Sequence, residues 1–137
     1  MIIYLGGAIH NLNFDEANDW RIQATNLLEE HGHIILNPLR GRLWRNAKEQ
    51  SQFTVNEIVH RDLVDVKKAD ILLVNLARED ANYIGTTVEM TKARDWNKFI
   101  IVVIGDRKEY SPWVEYLATK ICKTVEEACE YINNVLV

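Results

Sequence analysis

Short apolar runs alternate with amphipathic segments along this chain. Four apolar runs predict strands, at residues 1–5, 33–36, 69–75 and 99–104. Three segments repeat apolar residues every three or four positions and predict helices, at residues 13–31, 54–68 and 86–97. The last two apolar runs are nearly continuous, which is typical of strands covered on both faces. The alternation predicts an α/β fold with a doubly wound, mostly parallel sheet and helices on both faces.

The remaining segments are shorter or lack a period. Residues 120–123 predict a short fifth strand, and residues 124–136 predict a last helix. Residues 107–119 show no periodic pattern and are expected to be irregular. Residues 39–51 are polar and basic and predict a long loop, and such loops in small domains often carry function. Residues 1–137 together are expected to form one domain.

The helix predicted at residues 54–68 has one apolar side and two acidic residues. Its inner face is expected to comprise Val55, Ile58, Val59, Leu63 and Val66. Asp62 and Asp65 lie one turn apart and therefore share a face of the helix. Asp62 lies about two turns before the helix ends, so its carboxylate either faces a crevice beyond the strands or marks a solvated edge.

Composition limits the classes of function. Hydrophobic residues make up 47% and charged residues 26%, as in ordinary globular proteins. The longest apolar run has about six residues, far below the roughly 20 that span a membrane, and no signal peptide is expected. The net charge of −4 argues against a nucleic acid polymer as partner. Cys122 and Cys129 lack the spacing of a zinc site and are expected to be reduced thiols in a cytoplasmic protein.

One basic cluster departs from this average composition. Arg40, Arg42, Arg45 and Lys48 lie close together, with Trp44 between them. Guanidinium groups beside an aromatic ring suit a phosphate or a base. A solvated loop would have the same composition, so both interpretations stay open.

The segment from Gly85 to Met90 carries the candidate nucleophile. It follows the apolar run at 69–75 and a polar loop, and it contains Gly85, Thr86 and Glu89. A Gly turn is expected to open a helix at Thr86, which would place Glu89 in the first helical turn. The helix dipole and the free N–H groups there would favour an ionised carboxylate. In parallel α/β folds, small ligands bind in the crevice at this edge of the sheet.

Three short motifs, in this order and spacing, resemble the nucleoside 2-deoxyribosyltransferase family. They are Ile3-Tyr4-Leu5-Gly6-Gly7 at the first strand, Asp62-Leu63-x-x-Val66-x-x-x-Asp70 before the third, and Gly85-Thr86-x-x-Glu89 after it. The resemblance covers nearly the whole chain. It implies a flavodoxin-like sheet and an enzyme that transfers a 2-deoxyribosyl group between nucleobases in two steps.

The resemblance also implies roles for individual residues. Glu89 would attack the anomeric carbon and form a covalent glycosyl intermediate, Asp62 would handle the proton of the base, and Tyr4 would orient the nucleophile. No metal or redox cofactor is implied. The partners would be a nucleoside and a free nucleobase. A homo-oligomer with pockets shared between subunits is also implied, and the Trp113 segment is the candidate for the shared part. The candidate substrate-binding residues are Gly6, Gly7, His10, Trp44, Tyr83, Gly85, Thr86 and Trp113.

The chain departs from the family at the position six residues before the glutamate. Many of these transferases carry an aspartate there, whereas this chain has Tyr83, with Asn82 and Asp80 nearby. The sugar, the base and any requirement for a 5′-phosphate therefore stay open. One alternative function is hydrolysis of the N-glycosidic bond of nucleosides or nucleoside 5′-monophosphates. A second is a nucleotide sensor without catalysis.

Overall fold

Five parallel strands form one sheet at the centre of the protein. They are β1 (Ile2–Gly7), β2 (Ile34–Leu36), β3 (Ile71–Asn75), β4 (Phe99–Val103) and β5 (Lys120–Cys122). The computed structural model describes residues 1–42 and 53–136, and in it the strand order is β2-β1-β3-β4-β5. Every pairing is parallel. This order confirms the predicted flavodoxin-like α/β sheet.

Helices cover both faces of the sheet. They are α1 (Phe14–Glu29), α2 (Val55–Lys68), α3 (Ile84–Asp95), α4 (Pro112–Leu117) and α5 (Val125–Tyr131), which continues as a π-helical turn over Ile132–Leu136. Asn13 and Thr54 begin α1 and α2, and each forms a capping box with the glutamate three residues later. Successive strand residues point to opposite faces, so Leu5 packs with α1 and α5 whereas Tyr4 packs with α2, α3 and α4.

Two sequence-based expectations about the helices are wrong. Residues 107–119 are not wholly irregular, because Ser111 caps the short helix α4 and Pro112 occupies its first turn. The apolar side of α2 does not all face inward, because Val55 is 70% exposed and Val59 is 50% exposed, while Val66 is buried. Asp65 is buried and paired with Arg40, so the inner face of α2 includes an acidic residue.

The two cysteines lie in the core between β5 and α5. Cys122 and Cys129 are both buried free thiols, and burial raises the pKa of Cys129 to about 12. Their surroundings are apolar, because both belong to the cluster that α1 and α5 form against the sheet. Within residues 1–42 and 53–136, no helix is long and apolar enough to cross a bilayer.

The strand order places a crevice between β1 and β3. The chain moves outward from β1 to β2 and then returns to the other side of β1 as β3. In doubly wound sheets, the connections diverge at such a reversal and leave a crevice beyond the carboxyl ends of the strands. The ends of β1 at Gly7 and β3 at Asn75 are paired with each other there. The segments that follow both strands therefore line the place where a small ligand is expected.

Candidate active site

A hydrogen bond joins Tyr4 on β1 to Glu89 on α3. The Tyr4 hydroxyl donates to Glu89 Oε2, and the Tyr4 side chain is almost fully buried. Burial, with the nearby Glu89 charge, raises the pKa of Tyr4 well above its ordinary value. The phenol therefore stays protonated and can act as a fixed donor to the carboxylate.

Glu89 lies deeper in its helix than the sequence predicted. The helix α3 begins at Ile84 rather than at Thr86, so Glu89 is its sixth residue and belongs to the second turn. Gly85 makes no turn, because it is already helical and a Cβ there would point into open space. The expected ionisation by the helix terminus is wrong, because burial raises the pKa of Glu89 to about 7 despite the hydrogen bond from Tyr4.

Gly6 leaves room beside the carboxylate, whereas Gly7 faces the other side of the sheet. A Cβ on Gly6 would lie 3.9 Å from Glu89 Oε1 and 3.4 Å from the side chain of Val74. A Cβ on Gly7 would lie only 3.0 Å from the Trp20 ring. Gly6 is thus a neighbour of the candidate nucleophile, and Gly7 makes close packing possible behind the strand.

Asp62 is the second carboxyl group of the site. Its side chain is half-buried on α2, and within the described part of the chain its Oδ1 is buried without a hydrogen-bond partner. Burial raises the pKa of Asp62 to about 6, although the positive charge of Arg42 acts in the opposite direction. Its charge also raises the pKa of Glu89. A carboxyl group with an unused oxygen and a raised pKa is suited to donate a proton.

Arginines surround the outer side of Asp62. Arg40 forms an ion pair with Asp65, with 2.5 Å between Nη1 and Oδ2, and Arg61 donates to the Arg40 carbonyl. The positive charges of Arg42, Arg61 and Arg40 all lower the pKa of Asp62, in that order of size. Part of the basic cluster therefore lies beside the candidate acid. Trp44, Arg45 and Lys48 lie outside the described residues.

The segment before α3 is held by its own polar contacts. The Tyr83 hydroxyl donates to the Arg78 carbonyl, and the Asn82 side chain accepts from the Ile84 N–H. Asp80 forms an ion pair with Arg78. Burial raises the pKa of Tyr83. Tyr83 packs against the core cluster that contains Tyr4, so this tyrosine stands close to the site, at the position where aspartate is expected in many of these transferases.

The other predicted ligand contacts are more scattered. Thr86 is buried in the first turn of α3, whereas Gly85 is exposed beside it. His10 is exposed in the turn that follows β1. Trp113 is 67% exposed on α4 and packs edge-on against Tyr116. The structure thus brings together Tyr4, Gly6, Asp62 and Glu89, with Tyr83 nearby, and leaves His10 and Trp113 at the surface.

Arg21 is a buried charged residue that the sequence interpretation missed. It lies on the inner side of α1, at the spacing of three and four residues shared by Ala17, Ala24 and Leu28. Its guanidinium carbon lies 4.7 Å from the centre of the Trp20 ring. The signal in the sequence was its place in the apolar repeat of α1. Long charged residues are rarely fully buried, so an arginine at such a position indicates an unusual environment.

Solved structures of deoxyribosyltransferases share this fold. A 2-deoxyribosyltransferase from Bacillus psychrosaccharolyticus matches with a TM-score of 0.72 and 18% identity, covering 96% of this chain and 92% of that one. A 2-desoxiribosyltransferase from Leishmania mexicana gives 0.71 and 14%, covering 99% of each chain. A CMP N-glycosidase from Clostridium botulinum gives 0.67 and 16%, covering 97% and 98%. At these identities the likeness establishes the fold alone.

The sequence itself supplies the family. No curated protein matches the chain significantly. The family model described as "Nucleoside 2-deoxyribosyltransferase like" matches residues 1–107, more than half of the chain, including all three motifs. The chain therefore belongs to the nucleoside 2-deoxyribosyltransferase-like family, which confirms the resemblance and the expectation of an enzyme.

Proposed function

We propose that this enzyme transfers a 2-deoxyribosyl group between nucleobases through a covalent intermediate on Glu89. The observation that carries the proposal is the hydrogen bond from buried Tyr4 to Glu89, with Asp62 close enough to influence the same carboxyl group. Two carboxyl groups beside one crevice are the arrangement that retaining glycoside chemistry uses. The family contains this chain, and its name describes this class of reaction.

Glu89 would be the nucleophile. One carboxylate oxygen attacks the anomeric carbon, the bond to the base breaks, and the electron pair of that bond leaves with the base. The Tyr4 hydroxyl occupies Oε2 and so directs Oε1 toward the sugar. Gly6 has no side chain beside Oε1, which leaves that oxygen accessible. Attack of a second base on the glycosyl ester then reverses these steps and releases the new nucleoside.

Asp62 would supply and recover the proton of the base. A departing base needs a proton, because its anion is a poor leaving group. The pKa of Asp62, raised to about 6 by burial, allows the acid to remain partly protonated near neutral pH. The buried Oδ1 has no hydrogen-bond partner in the described residues, so it is not committed to another group of that part of the chain.

Hydrolysis is the second candidate function. The fold is shared with a CMP N-glycosidase, and arginines that could meet a phosphate lie beside Asp62. Water would then capture the same intermediate in place of a base. The two candidates use the same residues and differ only in the acceptor.

The active form would be a homo-oligomer in which subunits share pockets. Apolar side chains stand exposed on α3 and α4: Ile84 is 73% exposed, Trp113 67% and Tyr116 57%. Exposed apolar groups on neighbouring helices are typical of an interaction surface. Mixing E89Q with Trp113→Ala subunits tests the sharing. Activity of the mixture above that of either variant alone would support shared pockets. A mixture no more active than the separate variants would contradict them.

Trapping the intermediate tests the proposed chemistry. The protein is mixed with a 2′-deoxynucleoside, quenched with acid and analysed by intact-mass spectrometry, with E89Q as the matched control. We expect a deoxyribosyl adduct on Glu89 in the parent and none in E89Q. Adding a second free base should yield the exchanged nucleoside. Release of free deoxyribose at the same rate with and without that base would favour hydrolysis, and an E89Q variant as active as the parent would contradict both candidates.

A further inference from the structure

Arg21 is a buried cation with no acidic partner among the described residues. Its side chain is fully buried, and within residues 1–42 and 53–136 no carboxylate lies within salt-bridge distance of its guanidinium. It donates instead to backbone carbonyls: Nε to Leu5 at 3.3 Å, Nη2 to Gly7 at 3.2 Å, and Nη1 to Ala17. Burying an unpaired charge costs desolvation free energy, which a neutral residue at this position would not lose.

The short strand β2 explains why the two β1 carbonyls are available. Alternate carbonyls of a strand point to the same side, and the Met1 carbonyl accepts from the Ile34 N–H on the side of β2. The carbonyls of Leu5 and Gly7 therefore also point to that side. Pairing with β2 ends at Tyr4, so both carbonyls lie beyond the last residue that could bond them. The guanidinium of Arg21 takes the place of the missing strand.

The candidate nucleophile lies on the opposite face of the same strand segment. A Cβ on Gly6 would lie 3.9 Å from Glu89 Oε1, and a Cβ on Gly7 would lie 3.5 Å from Arg21 Nη2. Adjacent residues of a strand point to opposite faces. The cation and the carboxylate are thus separated by the thickness of one strand, at two residues that carry no side chains.

We propose that Arg21 is a positioning residue that holds the negative charge on Glu89 from behind β1, a role that rests on the proposed nucleophile. Attraction between charges is much stronger in the interior than in water, because little solvent screens it. Tyr4 on β1 and Asp62 on α2 also face Glu89, and the Asp62 charge opposes ionisation. Arg21 lowers the pKa of Glu89 and so offsets Asp62.

The charge state of Arg21 allows this role. Burial lowers the pKa of its guanidinium to about 10, and the nearby Tyr4 and Glu89 act in the opposite direction. A group with that pKa is still positively charged near neutral pH. The cation is therefore present throughout the pH range in which Glu89 titrates.

The test separates the charge of Arg21 from its hydrogen bonds. Arg21→Gln keeps a donor for the β1 carbonyls and removes the charge, whereas Arg21→Lys keeps the charge. We expect Arg21→Gln to raise the pKa of Glu89 by about one pH unit, read from the ¹³C NMR signal of its side-chain carboxyl group. The alkaline limb of kcat/KM should move by about the same amount, because Glu89 has the higher pKa of a pair that acts as ionised Glu89 and protonated Asp62. Arg21→Lys and the packing control Trp20→Leu should leave both near the parent values.

An unchanged Glu89 titration in folded Arg21→Gln would overturn the role of Arg21. The NMR titration needs no turnover, so it decides the matter even if E89Q shows that Glu89 is not the nucleophile. If Arg21→Gln does not fold, the Arg21 Nε–H resonance of the parent is followed against pH. It should shift as Glu89 titrates, and the shift should vanish in E89Q. A resonance without that pH-dependent shift would equally overturn the proposal.

Discussion

Tyr4 and Glu89 are 85 positions apart in the sequence, yet the hydroxyl of one donates to the carboxylate of the other at the crevice between β1 and β3. The phenol lies in the core cluster that covers one face of the sheet, so its position is fixed by packing. A rigid donor orients one carboxylate oxygen and leaves the other for the substrate.

Removing the Tyr4 hydroxyl should weaken catalysis and move its pH dependence. Tyr4→Phe removes a hydrogen bond to a charged group, which is worth about 1.5–3 kcal/mol, so kcat/KM should fall about 10- to 100-fold. The alkaline limb should move to higher pH, because that hydrogen bond lowers the pKa of Glu89, which is the higher pKa of the pair. Tyr131→Phe, on the other face of the sheet, is the control. Equal kcat/KM in Tyr4→Phe and the parent would argue against the orienting role.

Activity should follow a narrow bell-shaped pH profile. Glu89 must be ionised, with a pKa of about 7, and Asp62 must carry a proton, with a pKa of about 6. The productive form is then a minority at every pH, and kcat/KM should be greatest between the two values. It should fall about tenfold per pH unit beyond them. The two limbs belong to the coupled pair. A flat profile extending about one unit beyond both values would contradict these roles.

Asp62→Asn should remove the alkaline limb of that profile. The amide cannot donate a proton as the acid does, and the loss is expected to be about 10²- to 10⁴-fold in kcat. Deoxynucleosides whose base leaves easily without a proton should lose least. Asp65→Asn is the matched contrast one turn away, because it breaks the ion pair with Arg40. Asp65→Asn should be less stable than the parent and should keep the alkaline limb. If Asp62→Asn also keeps the alkaline limb, Asp62 is not the acid.

Glu89→Gln should be more stable than the parent at alkaline pH. The folded-state pKa of about 7 lies above the ordinary value of 4.5, so the folded state holds the proton more tightly. Stability from this group is therefore fully present below about pH 4.5 and is lost as pH rises through 7. Allowing for partial exposure, the gain at pH 8 should be about 1–2 kcal/mol in the free energy of unfolding.

Urea unfolding at several pH values measures that difference. The gain in Glu89→Gln should shrink toward zero near pH 4.5, and the exposed Glu130→Gln is the control for the same substitution outside the site. A variant that is less stable than the parent at pH 8 would contradict a raised pKa. That result would mean that the ionised Glu89 carboxylate does not destabilise the folded parent.

The sequence predicted the sheet well because its signals are local. The nearly continuous apolar runs of β3 and β4 are typical of strands whose side chains are buried on both faces of a parallel sheet. The short helix α4 was missed because six residues are too few to show a helical period. The Ser111-Pro112 pair was its only local signal, since these residues suit a helix start. The exposure of Val55 was unpredictable, because the rotation of α2 depends on partners elsewhere in the chain.

The candidate site was predictable in its residues and less so in its electrostatics. Tyr4, Asp62 and Glu89 came from motif order, and the structure brings them together. The raised pKa of Glu89 depends on burial by the whole fold, which no local spacing reveals. The place of Arg21 was hidden because its stripe on α1 was interpreted from apolar residues alone.

The two core thiols give the protein an internal reporter of its own unfolding. A thiol reacts as its thiolate, so Cys122 and Cys129, buried and with raised pKa values, should resist alkylating reagents while the chain is folded. The rate of labelling would then measure how often the region between β5 and α5 opens. The labelling rate of any variant of the site could be compared with that of the parent, without a dye or an engineered label.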